Sequence, residues 1–137
     1  MSDLTRLDHG LDAETLTCRA IIETPKGQRG KLAYDPTRGV FELKRMLPDG
    51  MSFPLDFGFV PGTRGQDGDP LDILVLNDEL SPVGTLLTAR LIGVILAEQT
   101  EQGETVRNDR ILASPSSRTC SPKSPRSTIS TRTSSRT

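Results

Sequence analysis

Apolar residues along this chain come in short runs, some alternating with polar residues and some continuous, separated by Gly, Pro and Asp. Residues 15–24 (TLTCRAIIET) are rich in β-branched side chains and predict a strand, stopped by Pro25-Lys26-Gly27. Residues 31–34 predict a short second strand turned by Asp35-Pro36. Residues 40–47 (VFELKRML) alternate apolar and polar and predict a half-buried third. Pro48-Asp49-Gly50 reads as a turn. The following stretch, SFPLDFGFVPGTRGQDGDP, holds three prolines and four glycines, yet also three of the four phenylalanines. That mixture predicts a loop packed against the body. Residues 73–76 predict a buried strand, 78–84 a turn, 86–96 a long strand and 98–104 a hairpin loop, with a further strand beginning at 111–113. Short strands at regular spacing with little helix predict a small β-barrel or sandwich.

The ends read differently. Residues 1–14 are polar and acidic, expected to be a flexible or loosely helical leader without signal-peptide character. Residues 15–113 form the expected domain. Residues 114–137 hold nine Ser, five Thr and three Pro with one aliphatic residue, Ile129. Such a segment buries too little apolar surface to offset chain entropy, so a disordered tail is expected.

Composition narrows the chemistry. There is no run of 18 apolar residues, so no membrane span is expected. Cys18 and Cys120 are too few and too far apart for a disulfide framework, and a reducing, cytoplasmic setting is the default. The single histidine, His9, lies in the leader, which argues against a Ser-His-Asp triad or a zinc protease. The net charge of −1 hides two populations. The tail carries five basic residues and no acidic one, leaving 12 basic and 18 acidic residues in positions 1–113. An acidic body with one Tyr and no Trp is a poor nucleic-acid binder but a reasonable binder of divalent cations.

The sharpest local signal is Asp67-Gly68-Asp69-Pro70-Leu71-Asp72, running straight into the apolar ILVL. In an extended chain Asp67 and Asp69 would face the same way, and the strand would fix Asp72. Unpaired carboxylates this close repel one another unless some protonate or a hard cation intervenes. Mg²⁺ takes oxygen ligands and needs only one or two protein carboxylates beside its waters. A remaining Asp can then act as general base. An EF-hand is disfavoured, because Leu71 occupies its third ligand position and the flanks read as strand.

The motif does not stand alone. IIETPKGQRGKLAYD, FELKR, FPLDFGFVPGT, DGDPLDILVL, GVIL and NDRILA follow one another in an order and spacing that resembles the soluble inorganic pyrophosphatases of the first family. The match covers roughly residues 16–113. The resemblance implies a mainly β (α+β) fold, an OB-like five-stranded barrel, here incomplete at its C-terminal end. It implies Mg²⁺-dependent hydrolysis of inorganic diphosphate to two phosphates, in a cytoplasmic homo-oligomer, usually a hexamer, with no nucleic-acid or membrane partner. By motif match, Asp67 and Asp72 are the implied metal ligands, with Glu23 as the outer acidic residue of the metal site. Asp69 is the implied catalytic carboxylate for the attacking water. Lys31 and Arg45 are the implied phosphate-binding cations.

The chain also departs from that pattern. Ala33 stands where an acidic residue is usual, and Phe53 and Phe57 stand where tyrosines are usual. Asn108 falls at the place of a metal-ligating aspartate, with Asp109 one step along and Arg110 at the usual lysine; Glu98 and Glu101 lie near a second acidic position. Family members continue beyond the position of Ala113 with a strand, a Tyr-Lys phosphate contact and a helix. The Ser/Thr-rich tail in their place is expected to reflect a frameshift near Ser114. The alternative to a working hydrolase is a weak or inactive paralogue or fragment that binds only metal and phosphate.

Overall fold

The computed structural model of the chain describes residues 3–116. Nine strands are present among them: β1 (Thr17–Thr24), β2 (Gly30–Asp35), β3 (Val40–Met46), β4 (Asp56–Val60), β5 (Leu71–Val75), β6 (Leu86–Ile95), β7 (Glu98–Glu101), β8 (Glu104–Arg107) and β9 (Arg110–Pro115). Five of them close into a barrel in the order β1-β4-β5-β9-β6. All neighbours are antiparallel except β5 and β9, which run parallel. β2–β3 and β7–β8 are separate two-stranded ribbons. No helix among the described residues is long and apolar enough to cross a membrane.

The expectation of an incomplete barrel is corrected. Arg110–Pro115 suffice to pair β9 with β5 on one side and with β6 on the other, so the ring closes within the described residues. Two of these residues, Ser114 and Pro115, belong to the segment expected to be disordered. Ser116 N then donates to Thr88 O at 2.9 Å. The remainder of the expected tail, from 117 on, lies outside the described residues.

The barrel interior holds Ala20, Ile22, Val60, Ile73, Val75, Leu87, Ala89 and Ala113, with Cys18 beside them. The alternation along each strand sends these residues inward and their neighbours outward. Burial holds the Cys18 thiol above its ordinary pKa, as expected of an inert core cysteine. On β4 the inward positions are Gly58 and Val60, and the outward ones are Phe57 and Phe59. Phe59 nevertheless is buried, its ring 5.9 Å from that of Tyr34 on β2.

Three segments differ from the sequence reading. β4 was hidden in a stretch punctuated by Gly and Pro. Gly58 is there because a Cβ at that position would lie 2.0 Å from Ile21 O, so only glycine lets β1 and β4 pair. The hairpin expected at 98–104 is present but tighter: its strands are 98–101 and 104–107 and its turn is only Gln102 and Gly103, both at positive φ. That is the backbone of a two-residue hairpin turn whose twist matches the strands. The leader contains one turn of 3-10 helix, Leu4–Arg6, and is bonded to the body: Leu4 N donates to Tyr34 Oη, Gly62 N to Thr5 O and Arg19 N to His9 O.

Candidate active site

The outer face of β1, β4, β5 and β9 forms the floor of a cavity of about 1060 Å³, walled by the two ribbons and the Asp67–Asp69 loop. Each predicted residue reaches it by a specific local device. β1 carries a bulge between Ile22 and Thr24, which pair with Gly58 and Phe57 in succession. Glu23 is the extra residue. A bulge re-aims the side chain it inserts, and here the Glu23 carboxylate accepts a hydrogen bond from Tyr34 N at 2.7 Å. Glu23 is only 8% exposed.

A second bulge lies between Lys31 and Leu32 on β2, opposite Arg45 and Leu43. Lys31 therefore faces Arg45 directly, and Lys44 is the inserted residue. Lys31, Lys44 and Arg45 all line the cavity. Lys44 is paired with Glu42 at 3.3 Å. The Lys31 side chain makes no hydrogen bond or ion pair to the described residues; its Nζ instead lies 5.9 Å from the centre of the Phe57 ring.

The Asp67–Asp69 loop is a tight turn, not the extended segment expected. Asp69 N donates to Asp67 Oδ1 at 3.0 Å, Gly65 N donates to Asp69 O at 2.7 Å, and Gly68 takes φ +89°. An Asp bonding the amide two residues on closes such turns at low cost. Asp67 and Asp69 are exposed at the cavity mouth. Asp72 is deeper, on β5, directly opposite Phe59 on β4 and Arg110 on β9. Its carboxylate lies 3.9 Å from Arg110 Nε.

The electrostatics show an excess of negative charge. Burial, with the charges of Asp72 and Asp69 adding to it, pushes the Glu23 carboxyl up to about 7, against the lowering by Tyr34 N and Lys31. Burial also raises Asp72, opposed by Arg110 and reinforced by Asp67. A hard divalent cation would remove both penalties, and all the donors are carboxylate oxygens, the type Mg²⁺ and Ca²⁺ prefer. Among the described residues no three such groups converge into a ready-made ion cluster. The donor set therefore suits an ion that keeps much of its water and uses one or two carboxylates from the protein, as Mg²⁺ does.

All six predicted site residues, Glu23, Lys31, Arg45, Asp67, Asp69 and Asp72, line this one cavity. The structure also sorts the hairpin positions. Asn108 and Arg110 line the cavity, whereas the Asp109 carboxylate accepts from Ala97 N at 3.1 Å and from Arg107 at 3.0 Å. Arg107 accordingly holds Asp109 below the usual carboxylate range. Ala33 and Phe57, at two positions where the sequence departs from the family pattern, line the cavity as well. Lys44, Tyr34 and Glu104 were missed by sequence reasoning. For Glu104 a signal existed: Glu104, Val106, Asn108 and Arg110, every second residue, all face the cavity.

The fold and site together are a closed five-stranded barrel whose outer face carries a cavity lined by both carboxylates and cations. Comparison with known proteins makes this specific: the sequence profile of the inorganic pyrophosphatases matches residues 20–129, and the chain belongs to that family. It is 38% identical over 104 residues to the inorganic pyrophosphatase of Thermus thermophilus, covering 76% of this chain and 59% of that protein. It is 39% identical over 100 residues to that of Sulfolobus acidocaldarius, covering 72% and 55%. The crystal structure of the Thermus thermophilus pyrophosphatase superposes with a TM-score of 0.73 at 33% identity, over 83% of this chain and 63% of that one. The chain thus spans a little over half the length of the relatives it matches.

Proposed function

We propose that the chain hydrolyses inorganic diphosphate to two phosphates with Mg²⁺. The observation that carries this reading is the meeting of Glu23, Asp67, Asp69 and Asp72 with Lys31 and Arg45 around one cavity. Asp67 and Asp72 would hold Mg²⁺, with Glu23 as the outer acidic residue of the metal site; when bound, Mg²⁺ would neutralise charge on the diphosphate and lower the pKa of water. Lys31 and Arg45, adjacent on one ribbon and without carboxylate partners among the described residues, bind the phosphoryl oxygens. Asp69 takes the proton of the attacking water as the water oxygen bonds to phosphorus and the bridging P–O bond breaks. The second phosphate leaves with that electron pair. Phosphoryl transfer of this kind needs positioning and charge neutralisation more than covalent chemistry, so carboxylates and cations suffice.

The same reading extends to a homo-oligomer, a hexamer in the family resembled, located in the cytoplasm, with diphosphate as its partner and no nucleic acid or membrane. Exposed apolar side chains at the end of β6, Ile92, Val94 and Ile95, support the oligomer. The acidic body argues against nucleic acid.

The test is Mg²⁺-dependent phosphate release from diphosphate, with Mg²⁺ binding followed by calorimetry. Asp72→Asn is expected to weaken Mg²⁺ binding by tenfold or more, at about 1.4 kcal/mol per tenfold. Asp69→Asn should cost turnover more than Mg²⁺ affinity, by about 10²-fold in rate. Binding of Mg²⁺ and diphosphate with no phosphate release would replace hydrolysis by the binding-only alternative. Equal Mg²⁺ affinity in wild type and Asp72→Asn would remove Asp72 from the metal site.

A further inference from the structure

Phe57 is the half-buried aromatic residue of β4 that turns away from the barrel interior, on the strand face opposite Gly58 and Val60. Two cations lie against its ring: Lys31 Nζ at 5.9 Å and Arg110 Cζ at 5.8 Å from the centroid. Both distances fall within the range in which the ring quadrupole attracts a cation. All three residues line the same cavity.

What the ring leaves free matters as much as what it holds. A carboxylate partner fixes a cation by occupying its N–H groups and cancelling its charge. A ring face fixes it without doing either. The Lys31 side chain makes no hydrogen bond or ion pair to the described residues. Arg110 Nε is buried with no hydrogen-bond partner, and its nearest carboxylate, on Asp72, stands off at 3.9 Å. A buried donor left unmet is costly, so its position is held by something other than a hydrogen bond. Two cations without a close carboxylate partner, in a cavity that Arg45 also lines, fit a ligand with two anionic centres close together.

We propose that Phe57 is a positioning residue: its ring holds Lys31 and Arg110 by cation–π contact and keeps their N–H donors available for the two phosphoryl groups of a diphosphate. The ligand class rests on the function proposed above; the contact between ring and cations does not. A residue that only filled space would be replaceable by any side chain of similar volume. A residue that holds cations through its π face requires an aromatic ring, with or without a hydroxyl.

The experiment uses the full 137-residue chain as wild type, Phe57→Tyr and Phe57→Leu, with Phe57→Met in reserve should Phe57→Leu not fold. Two quantities are read. One is the ¹H–¹⁵N resonance of Arg110 Nε–H, assigned through Arg110→Lys and sensitive to ring current. The other is the Kd for imidodiphosphate, a non-hydrolysable diphosphate, with Mg²⁺ present. In the wild type and Phe57→Tyr the Arg110 resonance is expected at a ring-shifted position, with Kd values within about twofold of each other. In Phe57→Leu or Phe57→Met the ring shift disappears and Kd rises about tenfold, the loss of two partly desolvated cation–π contacts. An Arg110 resonance unmoved by loss of the ring overturns the proposal, and so does an unchanged Kd in a folded aliphatic variant. If the wild type binds no imidodiphosphate, the proposed hydrolysis and the ligand class fall together. The Arg110 resonance then still decides whether Phe57 holds the cation.

Discussion

Lys31 and Arg45 are direct cross-strand partners on the β2–β3 ribbon, two positive side chains opposite one another with no carboxylate between them. Like charges opposite each other weaken a two-stranded ribbon. The ribbon tolerates them because β2 and β3 are held by a six-position register and by the Tyr34–Phe41 ring contact at 5.1 Å. The position of the pair on the cavity wall is what gives the arrangement a use.

Lys31→Ala and Arg45→Ala should therefore separate stability from function. Each substitution relieves the cross-strand repulsion, so urea denaturation is expected to show stability unchanged or raised by about 0.5 kcal/mol. Each also removes a charge contact to the diphosphate, so the rate of phosphate release should fall by about 10²–10³-fold. A variant that loses activity only in proportion to a loss of folded protein would contradict this assignment.

Glu23 sets a pH dependence in the metal-free protein. Its folded pKa, about 7, lies above the ordinary carboxyl value because the folded environment disfavours the charged form. The sign follows: the folded state holds this proton more tightly than the unfolded chain. Its stabilising contribution is complete below the unfolded pKa of about 4.3 and is lost as pH rises to about 7. Denaturation without divalent cation should show stability declining between about pH 5 and pH 7 by a few kcal/mol at most. Glu23→Gln should flatten that slope, and Mg²⁺ should reduce it by favouring the ionised form. A slope that survives in Glu23→Gln would assign the titration to another group.

Gly58→Ala tests the junction that carries Glu23 and Phe57. The added Cβ would meet Ile21 O at 2.0 Å, a backbone atom that cannot swing away. Separating β1 from β4 would open the barrel next to the Glu23 bulge, so a loss of about 3 kcal/mol or more is expected, with poor soluble yield. By contrast Gly50→Ala, where no atom lies within 4 Å of the added Cβ, should cost about 1 kcal/mol from its positive φ alone. Equal behaviour of the two variants would contradict a close β1–β4 approach at Gly58.

The local pattern by itself determined most of the strands and the residue types of the site. β1, β2, β3, β5 and β6 coincide with runs of β-branched or alternating residues, because strand formation is read from period and propensity within a few residues. The six candidate site residues were picked out because DGDPLD and the motif blocks around it resemble those of a known family, not because their spacing revealed a cavity. What the pattern could not supply was anything set by a partner strand. β4 was obscured by Gly58, whose meaning lies in Ile21 across the ladder. The direction of Glu23 depends on a bulge, which exists only in the pairing of β1 with β4. Barrel closure depends on β9 meeting β5 and β6 at once, through pairings between residues 15 to 38 positions apart in the chain. The sorting of Asn108 and Arg110 into the cavity, and of Asp109 toward Ala97 and Arg107, likewise waited on the fold. Residue type and period are properties of neighbours in sequence; register, bulges and the sharing of Phe57 between Lys31 and Arg110 are properties of neighbours in space, and only the tertiary structure decides those.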